Sequence, residues 1–194
     1  KHISMFDKLA NILKIKKEKM TILVIGLNGG GKSTIINHFK SLNEQTTITV
    51  PTVGFTIEQF QNQGVHFTII DTSGARRHRN LWEHHFKNCQ GIVYVIDSSD
   101  KMRMIVIRDE INLFLNHPHL ENRKIPILLF ANKQNSEDAM SSSKIATVLG
   151  LNEINNNPWY ISSSEAISGV GLEEGIQWLA EQIRLSVQSS KHSK

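Results

Sequence analysis

Thr21-Ile22-Leu23-Val24-Ile25, followed at once by Gly26-Leu27-Asn28-Gly29-Gly30-Gly31-Lys32-Ser33, is the stretch that decides the fold. The first part is a short apolar run, rich in β-branched residues, and reads as a buried strand. The second fits G-x-x-x-x-G-K-[ST], and Lys32 to Lys40 continues it as a helix. A phosphate needs many donors converging on one point, which side chains alone supply poorly. Glycines let successive backbone N–H groups turn inward, and the new helix adds its positive end. Asn28, Gly29, Gly30, Gly31, Lys32, Ser33 and Thr34 are therefore candidate nucleotide-binding residues. Lys32 would reach the β- and γ-phosphates, and the Ser33 hydroxyl would join a Mg²⁺ shell. A plain Gly-rich turn after a strand is the competing reading, and the strand and helix on either side weigh against it.

Outward from this loop, apolar runs and helical patterns alternate. Gly54–Phe60 and Val65–Ile70 alternate in polarity around a turn at Gln61-Asn62-Gln63-Gly64 and read as a hairpin. Gly91–Asp97, Pro126–Ala131 and Trp159–Ser162 are further strand candidates. Helical patterns fall at Lys101–Asn116, Ser143–Leu149 and Leu172–Ser189. Such alternation predicts an α/β fold: a six-stranded, mostly parallel sheet with one antiparallel edge strand and helices on both faces. Ligand then sits beyond the carboxyl ends of the strands.

Each later strand ends in a polar signature on that same edge. Ile70 is followed by Asp71-Thr72-Ser73-Gly74. Asp71 can hold a Mg²⁺ ion through water, and Gly74 can offer its N–H to a terminal phosphate. Thr52, in Pro51-Thr52-Val53-Gly54, is a further candidate Mg²⁺ ligand, although Pro-Thr also marks an ordinary strand start. Asn132-Lys133-Gln134-Asn135 follows the next-to-last strand, and Ser162-Ser163-Ser164 follows the last. The serine run is equally compatible with a simple polar loop.

Composition adds bounds. The chain has 194 residues, 39% hydrophobic and 21% charged, with a net charge of +4. That is one domain's worth of ordinary globular sequence, and the charge is too small to argue for nucleic acid. Cys89, the only cysteine, leaves no internal disulfide and suggests a reducing compartment. No secretory signal is visible. Met5, Phe6, Leu9, Ile12 and Leu13 share one face at helical spacing, and Lys14, Lys16, Lys17 and Lys19 follow. Residues 1–18 thus read as an amphipathic helix with a basic linker, suited to a membrane surface. Permanent packing of that helix on the domain is the alternative. Residues 19–187 read as the domain and 188–194 as a disordered polar tail.

With these motifs in hand the chain resembles the Arf and Arf-like small GTPases over nearly all of residues 5–186. Pro51-Thr52-Val53-Gly54-Phe55 and Asn80-Leu81-Trp82 are similar to that branch rather than to Ras or Rab. Asn80-Leu81-Trp82-Glu83-His84, Ile96-Asp97-Ser98-Ser99-Asp100, Leu115-Asn116-His117-Pro118, Pro158-Trp159 and Gly171-Leu172-Glu173-Glu174-Gly175 resemble the ciliary Arf-like members linked to Bardet–Biedl syndrome. The resemblance implies a P-loop small-GTPase fold and a monomeric GDP/GTP switch with Mg²⁺. It also implies an exchange factor, a GTPase-activating protein and a BBSome-type coat as effector. The location it implies is cytoplasmic, peripheral on membranes, at the cilium or basal body. Asn132, Lys133 and Asn135 take the places of the base-reading N-K-x-D motif, and Ser163 and Ser164 those of the loop that meets guanine O6. In this family GTP slides the hairpin and pushes the N-terminal helix toward the bilayer.

The chain departs from the family at four places. Ala75 stands where most members have the Gln that orients the attacking water, so hydrolysis is expected to be slow; Arg76, Arg77, His78 and Arg79 follow it. Asn135 replaces an Asp whose two oxygens accept from guanine, and an amide has one acceptor oxygen. Asn28 replaces an Asp of the Arf phosphate loop. The opening Lys1-His2-Ile3-Ser4-Met5-Phe6 has no Met-Gly acceptor for a myristoyl chain. Ala75 and Asn135 keep open a nucleotide-holding scaffold. A P-loop kinase would share Gly26–Ser33 but gives no reason for Asn132-Lys133-Gln134-Asn135 or Pro51-Thr52-Val53-Gly54.

Overall fold

The structure is a computed structural model; it describes residues 18–40, 52–62 and 65–192. Strands β1 (Glu18–Ile25), β2 (Phe55–Asn62), β3 (Val65–Thr72), β4 (Gly91–Asp97), β5 (Ile127–Asn132) and β6 (Trp159–Ser163) form one six-stranded sheet in the order β2-β3-β1-β4-β5-β6. Only the edge strand β2 runs antiparallel, against β3. The helices are α1 (Lys32–Phe39), α2 (Glu83–Phe86), α3 (Met104–Leu115), α4 (Ser142–Leu149) and α5 (Leu172–His192).

Period-two alternation along the central strands builds two cores. Leu23, Ile25, Ile92, Tyr94 and Ile96 pack with Ile107, Ile111 and Phe114 of α3 and Ile145 of α4 on one face. Ile22, Val24, Val93 and Val95 pack with Ile35 and Ile36 of α1 and Ile176, Leu179 and Ile183 of α5 on the other. Both faces are therefore covered, and the carboxyl ends of β1, β3, β4, β5 and β6 open on a single edge. No helix among the described residues is long and apolar enough to cross a membrane.

Several boundaries differ from the sequence reading. The ladder begins at Glu18, because Glu18 to Val24 pair with Val65 to Asp71; Glu18 is thus a strand residue rather than the end of a linker. Gln61 and Asn62, which the sequence places in the turn, extend β2 and pair with His66 and Val65. The helix expected over Lys101–Asn116 starts as a 3₁₀ turn, Lys101–Arg103, because Asp100 accepts from the Arg103 backbone N–H and tightens the entry. A 3₁₀ turn (Arg76–Leu81) and α2, unread from the sequence, fill the stretch after Gly74. Helix α5 runs on to His192 although polar residues from Gln188 read as a frayed tail; no Gly or Pro follows Gly175 to break it. The amphipathic face from Met5 to Leu13 and Lys14, Lys16 and Lys17 lie outside the described residues.

Candidate functional site

The loop between β1 and α1 turns through left-handed glycines. Gly31 has φ 98°, and a Cβ there would lie 2.4 Å from Asn132 Nδ2. The Asn132 amide needs that space: its Nδ2 donates to Gly30 O (2.9 Å), while its Oδ1 accepts from Ala166 N (3.0 Å) and Ser164 Oγ (3.4 Å). Asn132 therefore ties the phosphate loop to the loop after β6, as the motif implies.

Lys32 is buried, and its Nζ donates to Gly26 O (2.9 Å) and Leu27 O (3.1 Å). Burial lowers its pKa to about 8, opposed by the Asp71 charge and reinforced by Arg103 and Arg79. Such a desolvated cation lacks a full counter-charge. Ser33, Thr52 and Asp71 converge beside it. Ser33 Oγ donates to Asp71 Oδ2 (2.7 Å), Thr52 Oγ1 does the same at 3.2 Å, and the two hydroxyls are 3.1 Å apart. Asp71 Oδ1 is buried with no hydrogen-bond partner among the described residues. Burial pushes the Asp71 carboxyl above its ordinary range, against the Ser33 bond and the Lys32 charge. Two hydroxyls, one carboxylate and an orphaned carboxylate oxygen form a hard-oxygen donor set. That set suits Mg²⁺, which keeps several waters and takes phosphate oxygens rather than an all-protein cage. Among the described residues no cluster of three acidic, His or Cys groups offers a different kind of metal site.

Gly74 closes the loop from above. Asn28 N–H donates to Gly74 O (3.2 Å), and a Cβ on Gly74 would fall 2.3 Å from Asn28 N. A cleft of about 480 Å³ results, lined by Asn28, Gly29, Gly31, Lys32, Ser33, Thr34, Thr52, Gly74 and Ala75, with Val53 and His78 on its wall. Its size suits a phosphorylated small molecule. Ala75 contributes only a methyl group. Its backbone N–H donates to Ser73 Oγ (3.3 Å), and the chain then enters the 3₁₀ turn.

The base-reading residues do not line this cleft. Lys133 sits in left-handed backbone (φ 64°), and its Nζ pairs with Asp97 Oδ2 at 2.6 Å. Burial pushes the Asp97 carboxyl up, but bonds from Lys133 and Ser99 outweigh it and hold it below the usual value. Ser164 is buried against Asn132, whereas Asn135 and Ser163 are exposed at the same sheet edge. Two residues at the site were not read from the sequence as part of it. His78 stands in the basic run after Ala75, and it lines the cleft. Arg103 donates from Nη1 to Asn28 O (2.9 Å) and Oδ1 (3.1 Å) across 75 residues of chain. The run of basic residues around His78 hides the first, and no local motif marks the second.

Comparison with known proteins agrees with this geometry. The model of the ADP-ribosylation factor family matches residues 5–183. The chain is 48% identical over 182 residues to ADP-ribosylation factor-like protein 6 of Danio rerio, covering 94% of this chain and 98% of that protein. Among solved structures it is similar to the Arl6 BBS3 small GTPase of Trypanosoma brucei with the nucleotide analogue GppNp bound. That likeness has a TM-score of 0.81 and 32% identity, over 87% of this chain and 99% of the other.

Proposed function

The chain belongs to the ADP-ribosylation factor family of small GTPases, and from that premise we propose that it is a Mg²⁺-dependent guanine-nucleotide switch with slow intrinsic hydrolysis. The observation that carries this reading is the convergence of Lys32, Ser33, Thr52 and Asp71, with Asp71 Oδ1 left without a partner. Lys32 and the loop N–H groups would hold the β- and γ-phosphates. Ser33 and Thr52, with Asp71 through water, would hold the Mg²⁺ ion, which supplies charge neutralisation between the phosphates. Thr52 and Gly74 both line the same cleft, so a terminal phosphate touching both would couple the segment before β2 to the loop after β3. Denaturing the purified protein and chromatographing what it releases tests the reading. Guanine nucleotide supports it; adenine nucleotide or none overturns it.

Base recognition falls to Asn132, Lys133, Asn135, Ser163 and Ser164. A hydrogen bond to a charged acceptor is worth more than one to a neutral acceptor, so Asn135→Asp is expected to tighten guanine nucleotide binding about tenfold. Competition between GTP and xanthosine triphosphate measures it. A parent chain that already prefers GTP by several decades would show that another group reads the base.

On the same premise, the GTP form acts at membranes. A groove of about 410 Å³ lies between β3 and α5, lined by Val65, Phe67, Ile176, Ala180 and Leu185. Glu18 pairs with Val65, so β1 begins beside this groove. The apolar face from Met5 to Leu13 would occupy it with GDP and leave it when the hairpin moves. Lys14, Lys16, Lys17 and Lys19 would then meet anionic headgroups at about 1 kcal/mol each. Binding through this helix and these lysines alone is expected to be weak and salt-sensitive. Flotation with anionic vesicles should recover the GTP-analogue form and leave the GDP form behind. Equal recovery of both, or full recovery after deletion through Leu13, rules this switch out. The likeness to the zebrafish and trypanosome proteins supports a ciliary role, with a BBSome-type coat as effector and separate exchange and GTPase-activating partners.

A further inference from the structure

We infer that Arg103 is a positioning residue for the terminal phosphate, acting through Asn28; the inference rests on the guanine-nucleotide reading above. The guanidinium is fixed at its base, where Nε donates to Asp100 Oδ2 at 2.5 Å and Asp100 Oδ1 accepts the Arg103 backbone N–H at 3.2 Å. Its Nη1 then reaches the phosphate loop and donates to both the carbonyl and the carboxamide oxygen of Asn28. On its other side, Asn28 donates its backbone N–H to Gly74 O. The arm is thus clamped between the loop after β3 and the loop after β4.

The clamp matters because Asn28 leads into Gly29-Gly30-Gly31, a run with little conformational preference of its own. An unrestrained arm would have to be ordered each time nucleotide binds, and that entropy opposes binding. Arg103 orders it in advance. It also takes up the Asn28 carboxamide, which stands on the rim of the cleft and would otherwise be free to swing across it. The effect belongs to one end of the site. Asn28 abuts Gly74, the candidate donor to a terminal phosphate, whereas Lys32 and Ser33 are held by other contacts. The chain from the end of β4 to the 3₁₀ turn carries both Asp97, which pairs with Lys133, and Arg103, so it braces both the phosphate arm and the base loop.

The test compares dissociation of fluorescent GDP and of a fluorescent non-hydrolysable GTP analogue from the parent and from Arg103→Ala, at saturating Mg²⁺. The side chain is about a third exposed (32%), so the variant is expected to fold; Arg103→Lys, which cannot bridge Asp100 and Asn28 together, is the second variant. The analogue is expected to leave about tenfold faster from Arg103→Ala and GDP less than about threefold faster. Adding Asn28→Ala to Arg103→Ala should cause no further change, because the two residues act as one unit. Equal acceleration of both nucleotides would mean a merely structural residue and overturns the inference, as does no acceleration of either. A parent that holds neither nucleotide overturns the guanine-nucleotide reading and this inference with it; that failure is seen in the parent, before any variant is compared.

Discussion

Lys32→Ala is expected to weaken GDP and GTP binding about a thousandfold, as the loss of two charge-assisted contacts at roughly 1.5–3 kcal/mol each implies. The same substitution is not expected to unfold the protein. In the unliganded site Lys32 is a buried cation with its pKa lowered to about 8, facing backbone carbonyls rather than a full counter-charge. It is a group kept for binding at some expense in stability. Calorimetry measures the affinity, and the thermal midpoint without nucleotide measures the fold. Unchanged affinity would sink the phosphate-loop reading; a collapsed midpoint would show that Lys32 is structural. The titration of Lys32 gives a second, independent readout. Its folded pKa lies below the unfolded value, so the unfolded chain holds more protons between pH 8 and 10.5. The Lys32 contribution to the stability of the nucleotide-free protein should therefore grow with pH across that window, its penalty being fully present below pH 8, and is read as the parent-minus-variant difference, because the raised pKa of the buried Cys89 thiol acts in the opposite sense. Nucleotide affinity should move the opposite way above pH 8, because neutral Lys32 must take up a proton to pair with phosphate. The alanine variant should lack the Lys32 contribution to both slopes.

What the sequence reveals follows from how local each signal is. β4 is bounded as expected, Gly91–Asp97, because an apolar run sits between a glycine and an aspartate and both of its faces are buried. Glu18 and Lys19 belong to β1 only because β3 offers them a ladder; nothing in their own chemistry says strand. The stretch from Arg76 to Phe86 folds around Trp82, whose indole N–H reaches Ser73 O and whose ring is buried beside Tyr94. Its helical turns are too short to display a period. At the site, Lys32, Ser33 and Asn132 were legible because their roles depend on short spacings around strand ends. Arg103 was not, since its partner is remote in sequence and either residue alone looks like surface. Through that contact the Asn28 carboxamide is engaged by Arg103.

Ala75→Gln is expected to raise single-turnover GTP hydrolysis on the order of a hundredfold, the lower part of the range for a side chain positioned on the reacting group. Ala75 is half buried on the cleft wall, immediately after the glycine that would meet the terminal phosphate. A methyl group there can neither donate to nor accept from water. A glutamine amide does both, and the cleft in front of it has room for the longer side chain. The backbone should tolerate the change, since Ala75 is extended (φ −67°, ψ 136°) and precedes the 3₁₀ turn rather than lying inside it. Arg79 is not expected to replace this role. Arg79 is committed to Glu110 at 2.7 Å and to Gly74 O, and an arginine stabilises developing charge without orienting the attacking water. Phosphate release from GTP-loaded protein at saturating Mg²⁺ is the measurement, with nucleotide affinity followed alongside. Affinity should stay the same, because the interaction is made with water and not with the bound phosphates. A parent rate already equal to that of the variant would show that Ala75 is not the defect. His78, on the same cleft wall, would then be the residue to replace next. A variant that stays slow on its own but accelerates when a GTPase-activating partner is added would place the missing orientation in that partner's contact with the Gly74–Arg79 segment.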